Sequence, residues 1–429
     1  MKVNHKRWWS VREKLLVAGA ILALVAGMVS TVPSAYAGGT IKVDDDKWIS
    51  VGMGTRTSFN MVEDGSASGG ASGGQWSNSF GVDNARIYIN GKIHKYVGFE
   101  FNTECFSCNN TAAATAAFGP GSGTVGMLDA IGKFEINDLV NVWFGRMLVP
   151  TERGELNGPF YHAVYDGFRT PFNPADSSPG FGPGGAGKYG RDNGVTFFGK
   201  IHPGGTHLQY VAGIFTGLQS ANNAGPNQRD SLKYAGRLTW NLLNEEKNPG
   251  YYTSGTYYGT AGDILAIAVG GEYQNAGAGS LANKSDMGIF TSDLLFEKVL
   301  DNKGVITVNA EYKRNWAQNL AATQAGGPGC FCMFSGTSFT AYALYLFPNE
   351  VGIGRFQPYG RYTFVNSVHT SALNEFEGGL NYVISGHNAR ISTYWRHGTL
   401  APTGGPVTLG AIAGSPHQDS FHVALQLQY

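Results

Sequence analysis

The chain has 429 residues with 31 Lys and Arg against 31 Asp and Glu, only 14% charged residues, and 62 glycines. Glycine stands near twice its usual share of about 7%, and charge well below its usual share of about 25%. A charge-poor, balanced chain lacks the basic footprint of a nucleic-acid binder, so no nucleic-acid partner is expected.

At the N-terminus, Lys2, Lys6, Arg7, Arg12 and Lys14 precede an apolar run over 15–29, then Ala35-Tyr36-Ala37 before Gly38. This order of basic, apolar and small-x-small segments predicts a secretory signal peptide cleaved after Ala37. The run is shorter than the roughly 20 residues of a membrane-spanning helix. Removing the five Lys/Arg and one Glu of 1–37 leaves 26 basic and 30 acidic residues, a net charge of −4. No later stretch reaches 18 uninterrupted apolar residues, so a membrane-embedded mature chain must cross as a closed barrel. The predicted organisation is a signal peptide over 1–37, a periplasmic lead over 38–46 and a transmembrane barrel over 47–429.

From residue 49 the polarity alternates. Ile49, Val51, Met53, Thr55, Thr57, Phe59 and Met61 share one face; Ser50, Gly52, Gly54, Arg56, Ser58 and Asn60 share the other. Successive side chains of a strand point to opposite faces, so one face meets lipid and the other water. A hairpin follows, Ala85 to Ile93 reversing near His94-Lys95 into a strand with Val97, Phe99 and Phe101 outward. The pattern continues with strand centres near Lys133, Trp143, Phe198, Gly213, Arg237, Val269, Phe290, Val308, Tyr342, Arg361, Gly379, Ser392 and Leu425. The fold class expected is all-β, a transmembrane antiparallel barrel of about 16 strands.

Counted from the periplasm, odd connections become external loops. Even ones become short turns such as Asn137-Asp138, Pro203-Gly204, Asp301-Asn302 and Gly386-His387. The longest connection, 148–192, is the third external loop and is expected to fold into the lumen. The chain ends in alternating Phe421, Val423, Leu425, Leu427 and Tyr429, a terminal strand closing on an aromatic.

Gly145-Arg146-Met147-Leu148-Val149-Pro150-Thr151-Glu152 resembles the phosphate-selective porin O/P family, whose fifth strand ends in a similar signature. Arg191-Asp192-Asn193-Gly194-Val195 and the run Tyr210 to Gly217 follow in family order. Gln357-Pro358-Tyr359-Gly360-Arg361-Tyr362 and Gly379-Leu380-Asn381-Tyr382 come next. The resemblance implies a sixteen-stranded, homotrimeric pore. Leu148 stands where that family often has Lys, which removes a cation near the root of the constriction loop and sets phosphate selectivity aside.

Other motifs weigh less. Gly70-Ala71-Ser72-Gly73-Gly74 matches the nucleophile elbow without its strand-to-helix context. Gly121-Ser122-Gly123-Thr124-Val125-Gly126 matches a dinucleotide loop but precedes a strand. Cys105 and Cys108 suit a local disulfide in an oxidising compartment, although Cys330 and Cys332 leave three pairings open. A four-thiolate zinc site is the weaker reading. No cofactor, no metal site and no enzymatic activity are expected.

Strand parity puts Arg56, Arg86, Lys92, Lys133, Lys233, Arg237, Lys313, Arg361, Arg390 and Arg396 inside. Their acidic counterparts are Glu100, Asp129, Glu135, Glu272, Glu311, Glu375 and Glu377. Lumen charge therefore leans positive, and fixed wall charge biases which ions pass. Arg153, Glu155, Tyr161, His162, Asp166 and Arg169 of the long loop either shape the narrow point or hold the loop to the wall. Arg146 is aimed at lipid by parity, unless a bulge near Gly145 turns it inward.

The function expected is passive diffusion of small hydrophilic solutes, anionic or neutral, through an outer-membrane pore with a weak anion preference. The competing readings are a barrel that sheathes or anchors another exported protein such as an electron carrier, and a lipid hydrolase built on the lipid face.

Overall fold

The computed structural model describes residues 39–63, 76–106, 124–171, 190–217, 231–280, 283–317, 335–368, 371–400 and 417–429. Its strands in chain order are β1 (Gly39–Asp44), β2 (Lys47–Glu63), β3 (Trp76–His94), β4 (Val97–Phe106), β5 (Thr124–Glu135) and β6 (Asn141–Leu148). After one short helix, α1 (Arg153–Leu156), come β7 (Arg191–Ile201), β8 (His207–Phe215), β9 (Lys233–Asn241), β10 (Ile264–Ser280), β11 (Asn283–Val299) and β12 (Val305–Ala317). The last five are β13 (Gly336–Leu346), β14 (Arg355–Ser367), β15 (Leu373–Ser385), β16 (Ala389–Gly398) and β17 (Gln418–Gln428).

Each strand from β2 to β17 pairs antiparallel with the next. β17 returns to β2 in the register Phe421↔Met61 to Gln428↔Gly54, which closes a sixteen-stranded barrel. The predicted strand centres all fall inside these strands. One strand was not foreseen: within the 38–46 lead, β1 pairs with β2 from Gly39↔Val51 to Asp44↔Lys47. It continues the edge where β17 stops, since Tyr429 exchanges backbone hydrogen bonds of 2.9 and 2.7 Å with Met53 two residues farther along β2.

Alternation has the sense of a membrane barrel. Outward positions carry exposed Phe134, Phe144, Phe197, Trp240, Phe290 and Trp395. Inward positions bury Thr291, Thr307, Asn309, Gln357, Ser392 and Gln426. Apolar residues outside and polar ones inside invert a soluble core, and closure leaves no unpaired edge in hydrocarbon.

One expectation about the connections is corrected. The even connections were read as short turns, yet the one between β9 and β10 spans 242–263. It starts at the barrel end where β2 begins and β17 ends, and folds into the lumen. Its Tyr251, Thr253, Ser254, Thr256 and Tyr258 are buried. The reason is apolar and polar complementarity: Tyr251 and Tyr252 pack 5.3 Å from the inward ring of Trp143, and Tyr251 Oη donates to the Leu148 carbonyl at 2.6 Å. Leu148 thus sits in an aromatic cluster with Trp143, Phe198 and Phe215.

Candidate functional site

The lumen is entered from both ends. From the far end, residues 149–171 of the third outer connection descend into it. From the near end, 242–263 rises to meet them, and the two segments touch through backbone hydrogen bonds. Thr253 N donates to Leu156 O at 3.4 Å and Gly255 N to Tyr161 O at 2.8 Å. Gly255 is placed where a Cβ would lie 2.6 Å from the Ala163 nitrogen, so only glycine permits this approach.

An irregular segment inside a barrel carries backbone carbonyls that no neighbouring strand satisfies, and each would cost free energy if left bare. Wall arginines supply the donors. Arg237 Nη1 donates to Thr151 O at 3.1 Å, Arg56 to Tyr165 O, Arg361 to Gly167 O at 2.5 Å, and Arg390 to His162 O and Ala163 O at 2.8 and 2.9 Å. With Lys313 on the Pro171 carbonyl, five of the ten inward cations read from the sequence therefore hold the loop's main chain. Elsewhere on the wall, Arg86 pairs with Glu104 at 2.6 Å and Lys133 pairs with Glu100 at 2.5 Å over the Trp143 ring. Glu135 sits half-buried at the near end beside Asn137 and Lys200.

The loop's own charged groups are paired as well. Arg153 in α1, fully buried, makes a two-pronged contact with Glu246 at 2.7 and 2.8 Å, and its Nε reaches Asp293 at 3.0 Å. It also donates to Ser254 O at 3.0 Å, which ties loop, wall and the 242–263 segment together in one side chain. Asp166 pairs with Arg396 and accepts from Tyr394 Oη at 3.0 Å. Arg169 grips Glu375 through Nε and Nη2, both at 3.0 Å. Glu155 is buried against Gly190. Tyr161 remains about half exposed near His387.

Opposite charges are interleaved around the lumen. Lys233, Arg237 and Lys313 stand among Glu272, Asp293 and Glu311 on β9 to β12, Glu375 and Glu377 stand among Arg361 and Arg396 on β14 to β16, and residues 149–171 reach both sets through Arg153 on Asp293 and Arg169 on Glu375. Asp293, Glu297 and Glu246 were missed in the sequence. The alternation of Thr291, Asp293, Leu295 and Glu297 carried the signal for the first two. Arg146 is buried, its Nε donating to Leu128 O at 3.0 Å, beside Gly145 at φ 132°. Cys105 is disulfide-bonded. Cys108, Cys330 and Cys332, the Gly70 to Gly74 motif and residues 1–37 lie outside the described residues. Of the Gly121 to Gly126 motif, Thr124, Val125 and Gly126 open β5.

Ser254 Oγ lies 3.0 Å from His387 Nε2 inside the lumen. That nitrogen also lies 2.9 Å from Thr256 O, a pure acceptor, so it carries a proton and cannot take one from the serine.

Burial and the neighbouring guanidiniums of Arg56 and Arg390 push the His162 imidazole down to about 3. A folded pKa below the unfolded value of about 6.5 means that the unfolded chain binds the extra proton, so stability falls as pH drops from about 6.5 toward 3. Glu152 works in the opposite sense: burial pushes its carboxyl from about 4.5 up to about 8, with Lys313 2.8 Å away, and stability falls as pH rises from about 4.5 toward 8. Acidification from pH 7 to 4 therefore engages the two groups with opposite signs, and the His162 share is expected to loosen the loop and lower the thermal midpoint relative to a chain without that imidazole. The midpoint of His162→Gln should decline less over that span, and an equal decline would refute the assignment.

No protein-family model matches the chain, and no curated protein does. Among solved structures, the anion-selective porin from Comamonas acidovorans covers 89% of this chain and 99% of its own at 13% identity, with a TM-score of 0.54. The trimer form of in-vitro folded OmpT from Vibrio cholerae covers 90% and 100% at 12% identity, with a TM-score of 0.49. OmpF of Salmonella typhi, in complex with daunomycin, covers 91% and 100% at 11% identity, also with a TM-score of 0.49. The first likeness is one of architecture, and the chain has a porin fold.

Proposed function

We propose that the protein is an outer-membrane porin, a narrow channel for passive diffusion of small hydrophilic solutes or ions, with no chemical step. The observation that carries this reading is the inverted alternation of a closed barrel, lipid-compatible outside and dense in charge and hydrogen-bonding groups inside. Such an interior suits water and polar solutes. The signal peptide over 1–37 and the outer-membrane lipid environment belong to the same reading, as does a homotrimer.

Selectivity follows from what pairing leaves over. Most inward charges neutralise one another, but among the described residues neither Arg390 nor Glu297 has an oppositely charged side chain within ion-pair distance: Arg390 faces carbonyls, Tyr258 Oη and Gln426, and Glu297 accepts from hydroxyls and backbone N–H groups. Because these two offset each other, the anion preference we propose is a weak one. Phosphate selectivity is not part of the proposal, since Leu148 lies in the aromatic cluster and brings no cation to the loop root. A sheath for another protein is disfavoured by a lumen that holds two segments of the chain itself.

Planar-bilayer recording of the purified protein tests the reading. Ohmic single-channel steps with a reversal potential displaced toward the anion equilibrium are expected in a salt gradient. A protein that inserts but passes no current refutes the channel, and a shift toward the cation equilibrium refutes the selectivity.

A further inference from the structure

At the near end of the barrel, β7 and β8 are joined by His202-Pro203-Gly204-Gly205-Thr206-His207. The last ladder pair is Ile201↔Leu208, so the next step sets His202 against His207 with both side chains on one face. Their rings stand at 78° with centroids 5.0 Å apart, and the two Nδ1 atoms face each other at 2.8 Å. The turn is locked. Pro203 opens a 3-10 turn closed by Thr206 N on Pro203 O at 3.0 Å. Thr206 Oγ1 donates to the same carbonyl at 2.8 Å and accepts from Trp240 Nε1 at 2.9 Å. Gly204 and Gly205 take φ of 58° and 81°, values open to glycine at little cost.

We propose that this turn is a binding site for a divalent transition metal of the copper(II) and nickel(II) class, held by Nδ1 of His202 and His207. Metal–imidazole bonds are about 2.0–2.1 Å, so two nitrogens 2.8 Å apart subtend about 90° at a shared ion. That is the cis angle of a square-planar or tetragonal ion, whereas a tetrahedral zinc would spread the nitrogens wider. Among divalent ions copper(II) binds nitrogen donors most strongly.

A third donor stands in register. Asn241 is the direct cross-strand partner of His207 on β9, it is 2% exposed, and its Oδ1 has no hydrogen-bond partner. A hydrogen bond between two imidazoles near the surface contributes little by itself, which does not account for so rigid a turn. Binding asks both rings to carry the proton on Nε2, so the ring that donates across the Nδ1 pair changes tautomer when the ion enters.

The test is titration of the chelator-stripped, detergent-solubilised protein with Cu²⁺ alone, read by calorimetry and by electron paramagnetic resonance. One ion per chain with an axial spectrum split by two imidazole nitrogens is expected. His202→Ala and His207→Ala should each weaken binding by at least about tenfold, while His94→Ala, at a different near-end turn, should bind as the parent does. Unchanged affinity in both turn variants overturns the proposal. So does a parent spectrum without imidazole splitting, which decides the matter even if a variant fails to refold.

Discussion

Replacing Arg153 by Met is expected to lower the stability of the barrel by about 3–5 kcal/mol, because it strips one buried cation from two carboxylates. Asp293 keeps Arg237, whose Nη atoms lie 2.5 and 2.8 Å away. Glu246 keeps only neutral donors such as Tyr257 Oη at 3.0 Å, so its desolvated charge accounts for most of the loss. Adding Glu246→Gln to the Arg153→Met chain should therefore recover a large part of it. The recovery, read as a coupling energy in a double-mutant cycle of thermal or denaturant unfolding, measures the link between the two luminal segments. A single variant as stable as the parent, or a double variant showing no recovery, would mean that the pair does not hold them together.

The strands were legible because alternation is a local property. Val308 and Tyr342 could be placed from a few residues on either side, and the inward positions of Arg56, Lys313 and Arg396 followed from parity. What was hidden is long-range or breaks the period. Arg153 and Glu246 meet across 93 residues, and no repeat in the sequence encodes that contact. Residues 242–263 were passed over because an even connection was assumed short, although their Pro249 and four tyrosines match the composition of the loop they meet. The wall arginines were visible as charges, but their partners are carbonyls of an irregular loop, which carry no side-chain signature. Arg146 shows the limit of parity itself, since it is buried although both ladders run through Gly145 in continuous register with no bulge.

Deleting 245–262 and joining the ends by Asn-Gly, a pair that suits a two-residue hairpin, should raise single-channel conductance by at least about twofold by widening the pore lining. The deletion removes Glu246 and Ser254 from Arg153 and the N–H donors from Leu156 O and Tyr161 O. It also uncovers Trp143, whose ring packs on Tyr251 and Tyr252. A second deletion, 155–188, takes away the loop from the other side. Because the two segments touch, they narrow the same cross-section, so each deletion alone should enlarge the conducting area and both together should enlarge it most. Two separate constrictions in series would behave otherwise: resistances add, the remaining one would limit the current, and neither single deletion would change conductance much. Measuring all three deletions in the same bilayer separates these cases, and a rise confined to the double deletion would rule out a shared constriction.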